Sequence, residues 1–516
     1  MKLAVLGIDG GSWNVLRMLV EEGYMPSLKR LLERGVHGDL RSIVPPVTGG
    51  AWLSIATGLN PGKTGVIDFF KHVGNFVLEP VSGEDFRDRS FWDYLSVLGF
   101  RVAVLDYPLV YPAYPVNGVM LSSWGGRITA YPESVLDEIH CLVGEYNIFV
   151  DYHLEKYNNI ELFLDDLRKA VEVKLRVSRS FMRRDWNLFV DVFSFTDWLQ
   201  HRMWHYIDPK HPMYPGGEEA SRYRRRLAEY WQMLDEYIGE VSETYDNVLI
   251  VSDHGFGPNW GVFNLVKWLA KHKFIKLKGG CMLVVAKLVK HAIRAFLRIR
   301  LFKLVPRGLR KKARKQVLSV TGLHLITVLE ASLVVPLNYT IPFGALHVNP
   351  KFRDNAKKIL NDVVEALMKL GEELDKELKV TVWRRDELYW GDKVDLLPDI
   401  IFTINDWACV VIKDLEKNEI YVEAPYSPRH IGSHRLDGIF VAWGKDFKKG
   451  IRVDKLSILD IAPTILYMFG APIPDNLDGE VLKELFVYGA SREPKYVPPV
   501  YYRVRKIRKR LASGKD

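Results

Sequence analysis

The sequence predicts an α/β fold in which a mostly parallel β-sheet is sandwiched by helices. Three observations lead there. Short apolar, β-rich runs recur at Leu3–Ile8, Val102–Leu105, Leu188–Phe195, Val248–Val251, Val380–Trp383, Ile400–Thr403 and Ile439–Trp443. Amphipathic stretches of helical period lie between them, the pattern of strand and crossover helix that builds a sheet covered on both faces. Several runs end in polar tails, namely Asp9-Gly10-Gly11, Thr196-Asp197 and Ser252-Asp253-His254-Gly255. In open α/β sheets ligands sit beyond the carboxyl ends of the strands, so these tails are where chemistry is expected.

Taken in order, Leu3–Ile8 is too short for a secretory signal and no small-residue cleavage site follows it, so it reads as a buried first strand. The alternation continues to residue 278 and resumes at 330, giving a discontinuous catalytic core of 1–278 and 330–490. Between them, 279–329 opens on Gly279-Gly280 and continues as one cationic and apolar helical pattern, read as an insertion or cap. The core closes with a helix over Ile458–Phe469, stopped by Gly470. Residues 491–516, with the Pro498-Pro499 break, form a basic tail.

The 516 residues are 48% hydrophobic and 26% charged, enough for a large core and outside the range of disordered or collagen-like chains. Cys141, Cys281 and Cys409 are odd in number and far apart, which argues against a disulfide scaffold or thiolate site and for a reducing compartment, the cytoplasm. No run approaches the ~18–20 apolar residues of a membrane-spanning helix.

The net charge of +9 is unevenly spread. Residues 254–329 contain no Asp or Glu and seventeen Lys and Arg, which leaves the rest of the chain at −8. Residues 501–516 add seven Lys and Arg against one Asp. Such patches meet phosphate. Between Val284 and Val305, Lys287, Lys290, Arg294, Arg298 and Arg300 recur among Leu288, Val289, Ile293, Phe296, Leu297 and Leu301. Two readings stay open: an amphipathic helix lying on an anionic membrane surface, or a cap helix packed on its own domain. Peripheral membrane attachment is one expectation; nucleic acid is not an expected partner.

Three strand ends place Asp9, Asp197 and the Asp253-His254 pair on one sheet edge. Asp197 and His201, spaced i and i+4, share a helix face, and His434 precedes the strand at Ile439–Trp443. Asp9, Asp197, His201, Asp253, His254 and His434 form a sulfur-free oxygen and nitrogen donor set, suited to zinc or manganese and large enough for two divalent ions. His205 reads as a packing residue, and His430 competes with His434 for the ligand role. The segment Val44–Gly58 reads as a proline-stiffened loop, Thr48 at an N-cap, a short helix and a glycine stop. There the amides of Gly49 and Gly50 could hold an anionic oxygen. Thr48 is either a metal-activated nucleophile or only a helix cap.

These motifs resemble those of the alkaline phosphatase superfamily, within it the type I phosphodiesterase/nucleotide pyrophosphatase branch. The resemblance rests on Gly7-Ile8-Asp9-Gly10-Gly11, the Thr48 loop through Thr57-Gly58-Leu59-Asn60-Pro61-Gly62, and Thr196-Asp197-Trp198-Leu199-Gln200-His201. It extends over Ser252-Asp253-His254-Gly255-Phe256-Gly257, Gly432-Ser433-His434-Arg435 and Leu459-Asp460-Ile461-Ala462-Pro463-Thr464. It implies an alkaline-phosphatase-like fold, one ion on Asp197, His201 and His434, a second on Asp9, Asp253 and His254, and Thr48 as nucleophile. A family histidine is replaced by Thr64-Gly65-Val66, and a phosphate-binding asparagine falls on Phe69, leaving the Gly49 amide and the metals to hold the phosphoryl oxygens.

The expected function is metal-dependent hydrolysis of phosphoric esters, of phosphodiester or nucleotide pyrophosphate type, through a covalent threonine intermediate. Zinc is the expected metal and manganese the alternative. A phosphoryl or headgroup transferase and a membrane- or polyanion-binding factor are the competing readings. Expected substrates are a small phosphate ester or a lipid-linked phosphate.

Overall fold

The computed structural model describes residues 1–278, 328–337, 339–340, 342–413, 419–423, 430–489 and 492–512. The expected insertion at 279–329 therefore lies outside the described residues, apart from its last two. The chain forms two compact units, one of residues 1–64, 82–258 and 427–516, the other of 65–81 and 259–426.

The first unit is built on a nine-stranded sheet with the order Ile451–Ser457, Val36–Arg41, Asp437–Gly444, Asn247–Val251, Leu3–Ile8, Leu188–Phe193, Val102–Leu105, Gly118–Ser122, Thr129–Tyr131. Only Asp437–Gly444 and Thr129–Tyr131 run against the others. Leu3–Ile8 is central, pairing in parallel with Leu188–Phe193 and with Asn247–Val251, and all six of its residues are buried. Burial on both faces explains why these strands are unbroken apolar runs. Helices Ile160–Met182 and Gly217–Thr244 pack through Leu167, Val171, Leu175, Trp231, Leu234 and Ile238 into the same core as Leu6 and Phe189.

Because Asp437–Gly444 is reversed, its amino end lies at the carboxyl edge of the parallel strands. That single reversal brings the residues just before it, including His434, to the edge where Leu3–Ile8, Leu188–Phe193 and Asn247–Val251 end.

The second unit carries its own core around Phe263, Leu346, Val363, Ile400, Phe402 and Val411. Val380–Arg384 and Ile400–Ile404, both expected in the parallel sheet, pair antiparallel in a separate four-stranded sheet with Val334–Val335 and Gly344–Val348. Their apolar runs are short strands either way, and period alone does not distinguish the two sheets. Among the described residues, Leu6 and Phe189 thus belong to one hydrophobic cluster and Phe402 and Val411 to another. The basic tail likewise contains a helix, Val500–Ala512, which belongs to the first unit. No described helix is long and apolar enough to cross a membrane.

Candidate metal centre and nucleophile

Asp9 follows the first strand directly. The chain then turns at Gly10, whose φ of +66° suits glycine, and whose amide donates to Asp253 Oδ1 at 3.1 Å. A Cβ on Gly10 would stand 3.0 Å from the Phe256 ring, so a side chain there would crowd that ring as well as strain the turn. Helix Phe195–Ile207 starts just beyond Leu188–Phe193 and places Asp197 and His201 one turn apart on one face. His434 lies on the short strand Gly432–Arg435, antiparallel to Gly255–Pro258, which follows His254.

All six sequence-predicted donors and Thr48 are buried, from 0% exposed at Asp253 and His254 to 7% at Asp197. His201 Nε2 and His434 Nε2 are 3.2 Å apart, and Asp197 Oδ1 lies 3.5 Å from the first and 3.4 Å from the second. His254 Nε2 is 3.2 Å from Asp253 Oδ2 and 3.7 Å from Asp9 Oδ1. Asp197, His201 and His434 form one donor group and Asp9, Asp197 and His254 another, so Asp197 stands between the two and Asp253 adjoins the second.

The hydrogen-bond pattern tests whether cations fit. Each imidazole has its Nδ1 against a backbone carbonyl: His201 on Gly432 at 3.0 Å, His434 on Pro46 at 2.9 Å and His254 on Gly255 at 3.0 Å. Each ring therefore donates its Nδ1–H outward and turns an Nε2 lone pair inward. Asp9 Oδ1, Asp197 Oδ1 and Asp253 Oδ2 are buried and have no hydrogen-bond partner. Buried acceptors facing buried acceptors are costly unless a cation lies between them. Two donors at about 2.0–2.1 Å from a tetrahedral zinc lie about 3.3 Å apart, which matches the first group. The residues fit divalent cations.

The electrostatics agree. Burial drives Asp9 well above the usual carboxylate range, with Asp253 and Asp197 adding to the rise. Burial likewise pushes Asp253 up to about 7 against the Gly10 amide. At Asp197 burial raises the carboxyl, and it is positive charge on the side of His201 and His434 that takes it well down, a charge a cation there would supply. Burial lowers His201 to about 4 and takes His254 well below its ordinary value, so both rings are neutral near pH 7.

Thr48 is the first residue of helix Thr48–Thr57, and the N-cap is Val47. Its hydroxyl makes no cap bond and lies instead 3.2 Å from His254 Nε2. Thr48 thus follows the N-cap instead of occupying it. The first amide bonded within this helix is that of Ala51, to Val47 C=O. The amides of Thr48, Gly49 and Gly50 precede that bond and form the positive end of the helix beside the hydroxyl.

His205 packs its ring against Tyr206 and lies 6.1 Å from His211. His430 is in neither donor group; its ring centroid is 6.2 Å from that of His201. The sequence reading missed three supports. Gln200 Nε2 donates to Gly10 C=O at 2.9 Å and to Thr196 C=O at 3.0 Å. The Tyr152 ring stacks on His201 at 5.2 Å, and Phe256 meets it edge-on at 4.8 Å. Gln200, one turn from Asp197, and Phe256, two residues after His254, stand inside the quoted motifs, whereas Tyr152 stands outside them.

A mostly parallel sheet with buried Asp and His donors and a hydroxyl at its carboxyl edge is the alkaline-phosphatase-like class of α/β hydrolase. The chain belongs to the type I phosphodiesterase/nucleotide pyrophosphatase family, whose sequence profile matches residues 3–435. It is a hydrolase of phosphoric esters. A search of curated proteins finds no significant match. Among solved structures it is similar to phosphonoacetate hydrolase from Sinorhizobium meliloti in complex with phosphonoformate (TM-score 0.52, 14% identity, 90% of this chain and 94% of that one). It is also similar to an inactive variant of murine ectonucleotide pyrophosphatase/phosphodiesterase 5 in complex with AMP (TM-score 0.50, 13% identity, 94% of this chain and 100% of that one). At these identities the likeness establishes the fold.

Proposed function

We propose that the protein hydrolyses phosphodiesters or nucleotide pyrophosphates through a covalent Thr48 intermediate at a site for two divalent ions, zinc first and manganese as the alternative. The supporting observation is the Thr48 hydroxyl 3.2 Å from His254 Nε2, among carboxylate oxygens that have no partner. Asp197, His201 and His434 would hold one ion and Asp9, Asp253 and His254 the other. Ions so held lower the pKa of a bound hydroxyl and stabilise the attacking and leaving oxygens of an in-line displacement.

The rest is work for the chain's own groups. Oγ1 of Thr48 loses its proton and bonds to phosphorus as the bond to the leaving alcohol or phosphate breaks, and that proton departs with the leaving group. The Gly49 amide, at the helix end, donates to a non-bridging oxygen as charge builds there. Water then attacks the phosphorus, the bond to Oγ1 breaks, and the hydroxyl regains its proton. Burial of Thr48 and its neighbours keeps bulk water from competing in the first step.

The test compares bis-p-nitrophenyl phosphate with p-nitrophenyl phosphate, with zinc, manganese or chelator, for wild type and Thr48→Ala. The expected result is turnover of the diester that needs metal, together with a Thr48→Ala rate lower by about 1000-fold or more. Equal rates with chelator, or full activity in Thr48→Ala, would refute the assignment.

A further inference from the structure

Helix Val500–Ala512 has two opposite faces. On one, Tyr502 is buried, its ring 4.4 Å from that of Tyr94 and its hydroxyl donating to Pro472 C=O, while Lys506 pairs with Asp88. On the other, Val500, Val504, Ile507 and Leu511 are 56%, 41%, 57% and 77% exposed. Their spacing of four, three and four residues aligns them in one stripe, and exposed Arg503 and Arg508 border it on either side.

A continuous apolar stripe in water contributes nothing to this helix's packing, which Tyr502 already provides. The docked face also fixes which way the stripe points. Three occupants could cover it, and charge separates them. A nucleic acid would engage the arginines and leave four aliphatic side chains wet. A second copy would bury the stripe but bring two cationic rims together. An anionic bilayer matches both features, with headgroup phosphates for the arginines and the acyl boundary for the stripe. Seven Lys and Arg against one Asp in residues 501–516 favour the same partner.

We propose that helix Val500–Ala512 is an interfacial anchor that seats the protein on anionic phospholipid, with Val500, Val504, Ile507 and Leu511 inserted and Arg503 and Arg508 on the headgroups. The anchor is independent of the hydrolytic site.

The full chain is sedimented with phosphatidylcholine vesicles and with vesicles in which about one third of the lipid is phosphatidylglycerol. Wild type should pellet with the anionic vesicles and stay in solution with the neutral ones. The triple variant Val504→Ser, Ile507→Ser, Leu511→Ser should partition about tenfold or more weakly, because the inserted aliphatic groups are lost. Arg503→Gln with Arg508→Gln should lose the preference for anionic lipid. Since these side chains are already exposed, melting temperature and diester hydrolysis should match wild type. Equal pelleting with both vesicles, no pelleting, or a triple variant that pellets like wild type would each overturn the proposal. So would a dimer in sedimentation velocity that the triple variant dissolves, or duplex DNA binding that displaces the vesicles.

Discussion

His201 and His434 face each other through their Nε2 atoms at 3.2 Å, while each commits its Nδ1 to a backbone carbonyl. With their Nδ1–H groups spent on carbonyls, the two rings turn only lone pairs toward each other. A cation resolves the contact. His434→Ala should therefore weaken zinc binding by about 100-fold or more, a loss larger than that of a residue acting through another ligand. Competition with a fluorescent chelator measures this. Retention of wild-type affinity would show that the two rings do not bind an ion.

Metal affinity should depend on pH in a direction set by the carboxyl groups. Asp253, pushed up to about 7, and Asp9, raised well above its ordinary value by burial, hold protons that an entering cation must displace. His201, lowered to about 4, is already neutral over the same range. Affinity should thus rise from pH 5 to 7 by about tenfold per unit for each proton released, and flatten as Asp253 ionises. Calorimetry in buffers of different ionisation enthalpy counts those protons. Zinc binding that releases none at pH 6 would contradict this account.

Gln200 should act on the ions at one remove. Its amide holds the Gly10 and Thr196 carbonyls, and the Gly10 amide in turn holds Asp253. Gln200→Leu keeps the approximate volume and removes both donations. Metal affinity should fall by about 10–100-fold while the secondary structure seen by circular dichroism persists. Restoration of diester hydrolysis by excess zinc separates this positioning role from direct chemistry. A variant with unchanged zinc affinity would mean that the Gly10 turn holds itself.

The difference between Asp9 and Gln200 shows what the sequence can reveal. Asp9, Asp197, Asp253 and His254 were readable because each ends an apolar run or lies one turn past it, so a local pattern implies a shared edge. His434 needed the reversed strand Asp437–Gly444 to reach that edge, and only its neighbours in the motif marked it. Tyr152 comes from a loop with no period at all, so its stacking on His201 was invisible. The strands Val36–Arg41 and Ile451–Ser457 also escaped notice: the first alternates buried with more exposed residues, the second buries only Leu456, and neither has an apolar run. The membership of Val380–Arg384 in a second sheet was hidden for the opposite reason: its run resembles a central strand although every residue in it is only partly buried.

Away from the metal centre, Lys174 bridges two buried carboxylates, Asp106 Oδ2 at 2.7 Å and Asp191 Oδ1 at 2.5 Å, with side chains no more than 5% exposed. Tyr146 and Tyr237 donate to the same two carboxylates. Burial alone would lower Lys174, but the two carboxylates outweigh it and keep the ammonium charged. Lys174→Met keeps the volume yet leaves two negative charges without their cation. It should destabilise the fold by about 3–5 kcal/mol, the cost of an uncompensated buried charge. The deficit should shrink on acidification. Asp191 is raised by burial even beside the lysine, so without it the carboxyl keeps its proton in the folded chain above its unfolded pKa, a stabilisation present at low pH and lost as pH rises through the folded value. Urea melts of Lys174→Met at pH 5 and pH 8 measure the effect. Adding Asp106→Asn and Asp191→Asn should recover much of the loss at pH 8, and a triple variant no more stable than Lys174→Met would show that packing, not charge, sets the cost.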